Sequence, residues 1–555
     1  MAAAATAAQT APVPFGRRSR FDLAPVAATA VALSALAVYR TTLLPGLGYW
    51  DTGEAQTVPP LLGTMHPTGF PAFVVVGWLF SIVAAPLGQP AFLMNLMAAA
   101  CAALAAGATV LVARRLDVPL PVAVAAAIGF ALTPIVWHIS NAADAHALHI
   151  LLVVGLTLAL LRWQALVDGR RDHPGDAAYR RRGDRAILFA AAVYGVAAAN
   201  HGLSLILAPS IGLFVLAVEP GVLRRPKLVL AAIGTAAGVT ALLYLELPIR
   251  AGLLRAPLVY AHPETWQGFW DIVLAKQFQG DLNGLISDVP GKLGALITLV
   301  SDQYGPLIAL IPAGLFVTAV KQPKYALFSG SAVLVTVTFA SSYANADITR
   351  YYLGPAFFVW TWLALLAGAF VDAILYRSGV PGEPGEAGLG QGEVAGVEPS
   401  IPIPGRRQIG LSLAVALAFA VALVTPTGLA LSARWKAADQ SADSGAQDWL
   451  DGVFAALQPN AVVISWWSYS TPLWYGRDVE HRRPDVLIID DSNRVWDRMG
   501  SVSDVIGAYL GRRPVYVIRQ SDAELENLAQ QFGIQPVGHP GNLFLVTGRL
   551  GTTTP

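Results

Sequence analysis

Long runs of apolar residues alternate along the chain with short polar segments. Many of these runs reach roughly 17–25 residues, which is enough for a helix to cross the hydrocarbon core of a bilayer. The pattern predicts an α-helical polytopic membrane protein with about 11 transmembrane helices. The predicted spans are residues 23–44, 91–113, 119–137, 145–163, 186–200, 202–218, 228–247, 304–320, 325–341, 351–375 and 409–431.

Composition supports this fold class. Of 555 residues, 55% are hydrophobic and 13% are charged, against about 25% charged residues in an average soluble domain. The net charge of +1 gives no sign of a nucleic-acid partner, and the membrane lipids are the expected surroundings. The single cysteine, Cys101, lies in an alanine-rich apolar run, where a packing role is expected and no intrachain disulfide can form.

The basic residues indicate the topology. With residues 1–22 inside as a cytoplasmic tail and signal anchor, the arginine-rich loop 168–185 and the other basic loops all fall inside, as the positive-inside rule requires. The basic loops all fall on the cytoplasmic side only if the apolar run 68–87 does not cross the membrane. We therefore interpret this run as a re-entrant or interfacial helix on the outer face. If it is a span, every later basic loop moves outside.

The same reading divides the chain into domains. Residues 23–376 form a predicted transmembrane domain with outer loops 45–90 and 248–303. A Gly/Pro/Glu-rich cytoplasmic linker, 377–408, precedes the last transmembrane helix, 409–431. Residues 435–555 form a small α/β domain on the outer face.

The predicted outer domain is built from short β-branched runs separated by helical stretches. The runs AVVIS (461–465), DVLIID (485–490) and PVYVIR (514–519) read as strands, and residues 501–511 and 521–531 read as helices. Strands alternating with helices predict a mostly parallel sheet.

Two acids follow the first apolar run, in YWDTGEAQ. Asp51 and Glu54 are three residues apart and share a face if the stretch is helical. One of two neighbouring carboxylates can act as a proton acceptor near neutral pH. The alternative is a helix start, with Asp51 at the N-cap and Glu54 at N3. Spacing alone leaves both interpretations open.

Other polar residues cluster at the predicted outer ends of spans. Asp144 with His146 and His149 has spacing that a metal could use, although polar residues at the mouth of a span are the simpler interpretation. His201 follows Asn200 at a turn between two short apolar halves, and Asp347 with Arg350 could be a plain ion pair. Further candidates are His66 and Lys276 in the outer loops, Arg250 at the end of a span and Tyr351 just inside the next span.

Ordered motifs give the chain a family resemblance. YRTTLLPGLGYWDTGEAQ, MHPTGFPAFVVVGWLF, WHISNAADAHALH, AAANHGLSLILAP and DITRYYLGP resemble the protein O-mannosyltransferase-like family of GT-C glycosyltransferases, which includes a vertebrate transmembrane O-mannosyltransferase of plexin-type receptors. The similarity covers about residues 35–360. One departure is Asp144-Ala145-His146, where the family usually has Glu-Val-Tyr; the carboxylate is kept but its geometry is not assured.

The resemblance implies an inverting glycosyltransferase with Asp51 as catalytic base and Glu54 supporting it. The expected donor is a polyprenyl-phosphate sugar, with mannose the first candidate, and the acceptor is a hydroxyl on a protein, lipid or glycan on the extracytoplasmic face. No metal and no cofactor besides the lipid-linked donor are expected. The residues expected to bind substrate are His66, Asp144, His201, Arg250, Lys276, Asp347, Arg350 and Tyr351.

A transporter or flippase of lipid-linked sugars is the alternative function. It would explain the spans equally well, but it predicts inverted repeats, and no convincing repeat is evident in the sequence.

Overall fold

The computed structural model describes residues 22–172, 175–281, 287–344, 347–377, 406–538 and 540–550. The predicted tail 1–22 and linker 377–408 lie almost wholly outside these residues. Helices dominate up to residue 438. They are α1 (Ala24–Thr42), α2 (Trp50–Leu61), α3 (Pro71–Val83), α4 (Pro90–Arg115), α5 (Leu120–Ala131), α6 (Pro134–Ser140), α7 (Ala145–Asp172), α8 (Ala177–Asn200), α9 (Ala208–Val218), α10 (Pro226–Tyr244), α11 (Glu246–Pro248), α12 (Trp266–Val273), α13 (Val289–Tyr304), α14 (Ile311–Lys321), α15 (Pro323–Ser341), α16 (Leu353–Arg377) and α17 (Arg406–Ala438).

Eight helical stretches in the described residues are long and apolar enough to cross a membrane. A ninth crossing is possible if α5 and α6, bent by 64° at their junction, form one broken span. The chain is thus a multi-pass membrane protein, and in the part that the structure describes fewer helices are long and apolar enough to cross than the eleven spans predicted. The predicted spans 186–200 and 202–218 account for the difference: the first half of α8 carries several arginines, and the apolar helix Gly202–Val218 is short.

Helix α3 occupies the run whose topology was ambiguous. Its 13 residues extend about 20 Å, less than the roughly 30 Å of a hydrocarbon core, so it is too short to cross upright. It packs closely on α2, because a Cβ at Gly77 would lie 2.6 Å from Pro59. This geometry agrees with a helix that lies on or re-enters one face of the membrane.

The last part of the predicted outer loop 248–303 belongs instead to an apolar helix. Helix α13 begins at Val289 and continues through a 3-10 segment, Gly305–Leu310, into α14 as one apolar stretch ending at Lys321. The first turns of this helix contain Lys292, Gly291 and Gly294, which interrupt the apolar run by which a span is predicted from the sequence. Within the remaining loop, α12 exposes Trp266 and Trp270, as expected of an interfacial helix.

The core of the helical domain relies on small residues that let helices approach closely. Alanine-rich α4 packs between α1 and α7, and a Cβ at Gly107 would lie 2.6 Å from the carbonyl oxygen of Ala28. In α5, Gly129 lies against the indole of Trp360 from α16, and a Cβ there would come within 2.3 Å of the ring. The fully buried indole donates to Thr133 Oγ1 at 2.8 Å, which fixes its position.

The C-terminal domain contains a five-stranded sheet. Its elements are α18 (Gly445–Ala456), β1 (Val462–Ser465), α19 (Trp467–Trp474), β2 (Leu487–Asp490), α20 (Asp491–Trp496), α21 (Val502–Tyr509), β3 (Val515–Val517), α22 (Asp522–Ala529), β4 (Phe532–Pro536) and β5 (Phe544–Arg549).

The order of the strands is β2-β1-β3-β5-β4. Strand β1 pairs in parallel with β2 and β3, but β5 pairs antiparallel with both β3 and β4. The three predicted strands are parallel, and β5 alone runs against the other four, so the sheet is mostly parallel in strand direction with one antiparallel strand. The prediction missed β4 and β5, whose glycine and proline content obscures their strand pattern.

The C-terminal domain docks on the membrane domain through α19 and α2. A Cβ at Gly53 would lie 2.6 Å from both the Gly48 carbonyl oxygen and Thr471 Oγ1, so the close approach depends on glycine. Nearby, the backbone N–H of Ala91 donates to the Tyr475 hydroxyl at 3.1 Å. The helix that follows β1, α19, thus lies directly against α2.

We expect Gly129→Ala to destabilise the membrane domain by about 1–3 kcal/mol, because the new methyl group overlaps the fixed Trp360 ring. Gly155→Ala in α7 is the matched control, since a Cβ there meets no atom within 4 Å. Thermal unfolding of the two variants in the same detergent measures the difference. Equal unfolding temperatures would contradict the packing described here.

Candidate active site

The start of α2 places Asp51 at the centre of the site. Tyr49 is the N-cap residue and its side chain makes no capping hydrogen bond, so Asp51 is not the N-cap and the capping interpretation is wrong. Instead, Asp51 Oδ2 accepts from Arg350 Nη2 at 2.9 Å, and Oδ1 accepts from Trp467 Nε1 at 3.3 Å. The carboxylate is held by one residue of the membrane domain and one of the C-terminal domain.

Arg350 gathers three carboxylates. It lies in the 3-10 turn Ile348–Tyr352 that leads into α16. Besides Asp51, it contacts Asp144 Oδ2 through Nη1 at 3.0 Å and Asp347 Oδ2 through Nη2 at 3.1 Å. The predicted Asp347–Arg350 pair is therefore present, but as one part of a larger cluster.

Asp144 connects this cluster to His146. Its Oδ1 accepts from the backbone N–H of His146 at 2.7 Å and from the ring Nδ1 at 2.8 Å. Burial alone would raise the pKa of Asp144, but the charges on His146 and Arg350 outweigh burial and hold the pKa well below its ordinary value. Asp144 is therefore ionised at neutral pH.

The metal hypothesis for the two histidines after Asp144 does not fit their partners. His149 Nδ1 pairs with Ser204 Oγ at 3.1 Å, whereas His146 pairs with Asp144. In the part of the chain that the structure describes, no group of three or more His, Cys, Asp or Glu side chains has the arrangement to hold a metal ion.

Glu54 is directed away from Asp51 and pairs with His66. Its side chain, 1% exposed, accepts from the backbone N–H of His66 at 2.7 Å and pairs with ring Nδ1. Burial alone would lower the pKa of His66, but the carboxylates of Glu54 and Asp51 raise the pKa to about 9. His66 is thus a cation at neutral pH.

His66 in turn affects Asp51. Burial would raise the pKa of Asp51, but the positive charges of His66 and Arg350 overcome burial and lower the pKa below its ordinary value. The site therefore combines an ionised Asp51 with a protonated His66.

Two cavities meet at these residues. The first, of about 1420 Å³, extends from Asp51 along the apolar faces of α7 to α10 and is lined mainly by Leu, Ile, Val and Ala. The second, of about 800 Å³, is more polar and lies between the outer segments and the C-terminal domain. The charged residues that line both cavities are Asp51, His66, Asp144, Asp347 and Arg350.

Most of the predicted site residues come together here. Glu54 supports His66, while His201 and Tyr351 line the apolar cavity with the five charged residues. Arg250 and Lys276 do not line either cavity. The guanidinium of Arg250 donates to the carbonyl oxygens of Leu61 and Leu62 at 2.8 Å, where it caps α2, and the largely exposed Lys276 pairs with Asp271. The structure thus places both outside the site, contrary to the prediction.

Sequence reasoning missed Trp467 and undervalued His146. Trp467 follows β1 in the stretch SWWSYS, and residues just past the carboxyl ends of parallel strands often form sites. That position in the sequence could have identified Trp466 and Trp467 as candidate site residues. His146 was weighed only as a metal ligand, although its place beside Asp144 in a span mouth allowed a hydrogen-bonded pair.

We expect the stability that His66 contributes to be present below pH 6.5 and to be lost as the pH rises to about 9, because its pKa in the folded chain is raised. His66→Gln lacks this contribution. The advantage of the unsubstituted chain over the variant should fall by about 3 kcal/mol across that interval. Unfolding of both proteins between pH 6 and pH 9.5 measures it, and parallel pH curves would contradict a protonated His66.

Comparison with known proteins supports the resemblance seen in the sequence. Residues 51–221 match a family model described as the Protein O-mannosyl-transferase TMEM260 N-terminal domain. Mouse Protein O-mannosyl-transferase TMEM260 is 28% identical over 280 residues, which are 49% of this chain and 36% of that protein. The chain thus matches about a third of the length of this curated relative.

Solved structures show the same fold. ArnT from Cupriavidus metallidurans, bound to undecaprenyl phosphate, superposes with a TM-score of 0.54 at 17% identity, covering 94% of this chain and 97% of ArnT. The Archaeoglobus fulgidus oligosaccharyltransferase, tethered to an acceptor peptide, gives a TM-score of 0.50 at 16% identity, covering 94% and 76%. The chain shares the fold of these two membrane proteins, and its residues 51–221 are similar to the N-terminal domain of TMEM260-type O-mannosyltransferases.

Proposed function

We propose that the chain is an inverting membrane glycosyltransferase. It moves a sugar, with mannose the first candidate, from a polyprenyl-phosphate donor to a hydroxyl acceptor on the extracytoplasmic face. The observation that carries the proposal is the position of Asp51, an ionised carboxylate where an apolar cavity meets a polar cleft. Transfer from a lipid carrier to a water-borne hydroxyl needs a proton acceptor at such a junction.

The apolar cavity suits the lipid chain of the donor. Its walls are side chains of helices α7 to α10, which expose much apolar surface toward the bilayer. A polyprenyl chain entering from the membrane would bury its tail there and present its sugar near Asp51. The undecaprenyl phosphate bound to ArnT, which shares this fold, supports that choice of donor.

The polar cleft suits the acceptor. It lies between the first outer segment and the C-terminal domain, with Tyr49, Trp50, Tyr260 and Trp467 among its lining residues. Aromatic faces of this kind contact peptide or sugar groups without demanding one sequence. The acceptor hydroxyl would belong to a protein Ser/Thr, a lipid or a glycan.

In the reaction, the acceptor oxygen attacks the anomeric carbon on the face opposite the phosphate. Asp51 accepts the hydroxyl proton as the new C–O bond forms, and the bond from the anomeric carbon to the phosphate oxygen breaks, so that the lipid phosphate leaves with the electron pair. Oδ1 of Asp51 is the available acceptor atom, since Oδ2 is bound by Arg350 and only the long contact from Trp467 occupies Oδ1.

The proposed orientation follows from the basic loops and the site. The arginine-rich segment between α7 and α8 lies at the opposite ends of these helices from Asp144 and Asn200. The positive-inside rule makes the arginine end cytoplasmic. Asp51 and the C-terminal domain that contacts it then lie outside, where an extracytoplasmic acceptor would reach them.

Asp51→Asn should reduce transfer by about 10²–10⁴-fold, because the amide keeps the shape of the side chain but cannot accept the proton. The assay reconstitutes the purified chain with polyprenyl-phosphate mannose and a cell extract, and compares it with Asp522→Asn, a surface acid of the C-terminal domain. Equal transfer by Asp51→Asn and the unsubstituted chain would refute Asp51 as base. Movement of labelled lipid across the bilayer without use of the donor would instead establish a flippase.

Trp467→Phe should lower transfer roughly tenfold through the loss of one hydrogen bond to the Asp51 carboxylate. Trp466→Phe is the matched control, because the neighbouring indole N–H is buried without a partner among the described residues. Both variants keep an aromatic ring in place. If the two substitutions reduce kcat equally at unchanged unfolding temperature, the Trp467 contact has no special role.

A further inference from the structure

The phosphate of the proposed donor needs positive or hydrogen-bond-donating groups at the head of the apolar cavity. Within the described part of the chain, the basic side chains that line this cavity are Arg350, His66, His146 and His201. Arg250 and Lys276, which stand elsewhere, cannot serve without leaving their present partners. The candidate phosphate-binding residues are therefore these four.

Arg350 is already neutralised. Its two terminal nitrogens contact the carboxylates of Asp51, Asp144 and Asp347 at 2.9–3.1 Å, and its Nε points to the Asp347 carbonyl oxygen at 3.5 Å. A phosphate bound at this guanidinium would lie among three carboxylates and would be repelled by them. Arg350 is suited to holding the acids, and poorly suited to binding an anion.

His66 already has a carboxylate partner and is shared by the two cavities. It pairs with Glu54 and lines both the apolar cavity and the polar cleft. His146 and His201 line only the apolar cavity. Their rings lie 4.4 Å apart, and Tyr351 stands 5.5 Å and 5.6 Å from them.

The hydrogen bonds of these two histidines leave both ε nitrogens unused by the described residues. His146 Nδ1 faces the ionised Asp144 and donates to it, while Nε2 is buried with no partner. His201 Nδ1 accepts from the backbone N–H of Leu203 at 3.0 Å, so its ring hydrogen is on Nε2. The buried His146 Nε2 without a partner is costly, and a phosphate oxygen removes that cost when this nitrogen carries a hydrogen.

We propose that the phosphate of the lipid-linked donor is bound by the ε nitrogens of His146 and His201, and not by an arginine or lysine. The assignment rests on the proposed function. Asp144 orients the ring of His146 through Nδ1, and the backbone N–H of Leu203 fixes the tautomer of His201 that donates from Nε2. The pair binds the phosphate before transfer and donates to its oxygens as it departs.

The experiment compares two lipids that differ only in the phosphate. Binding of undecaprenyl phosphate and of undecaprenol is measured on the full chain in nanodiscs, for the unsubstituted protein, His146→Leu and His201→Leu. Each variant should lose affinity for undecaprenyl phosphate by about tenfold or more, because a hydrogen bond to a charged group is lost. Affinity for undecaprenol should stay within about twofold, which also reports intact folding.

Two matched substitutions serve as controls. His149→Asn keeps the bond to Ser204 with a shorter side chain that does not line the cavity, and Lys276→Gln removes an exposed cation. Both should bind the two lipids as the unsubstituted chain does. Unchanged phosphate preference in both histidine variants, or its loss in Lys276→Gln instead, would overturn the assignment.

The same measurement separates this proposal from the function on which it rests. If the unsubstituted chain binds undecaprenol and undecaprenyl phosphate equally, the donor class itself is wrong and the histidine assignment falls with it. If the chain prefers the phosphate and only Arg350→Gln abolishes that preference, the donor class stands and the histidine assignment alone is wrong.

Discussion

The ion cluster around Arg350 is the interaction on which the rest of the site depends. It joins the start of α2, the residue before α7 and the turn before α16 through Asp51, Asp144 and Asp347. The Arg350 side chain is only 14% exposed, so these charges interact in a medium that screens them poorly. Without the arginine, three carboxylates would repel each other, and the segments that carry them would separate.

That cluster makes the C-terminal domain part of the site. Asp51 is held by Arg350 on one side and by Trp467 on the other, so its position depends on α19 being seated against α2. The seating requires glycine at position 53, where a side chain would overlap Thr471. A domain that contributes only acceptor binding would not need this contact with the carboxylate.

The sequence predicted the helices and the region of the site well, because both rest on local patterns. Apolar runs, basic loops and motif order do not depend on distant partners. The side-chain pairings do depend on distant partners. Asp51 and Glu54 are three residues apart, yet Asp51 bonds Arg350 and Glu54 bonds His66. Arg250 was equally plausible as a ligand until the structure showed it capping α2, since no local pattern reveals which distant group a cation meets.

Asp51 and Glu54 bind different partners, and this difference also explains how the site keeps opposite charges in one place. Glu54 and Asp51 raise the pKa of His66 to about 9, and the resulting cation, with Arg350, keeps the pKa of Asp51 below its ordinary value. Each charge thus sustains the other against the burial that opposes both. The lowered pKa therefore favours the ionised and weakly basic form of Asp51. In the proposed transfer, such a base would accept the proton late, when the acceptor oxygen has already begun to bond to the anomeric carbon, and departure of the phosphate would supply the driving force.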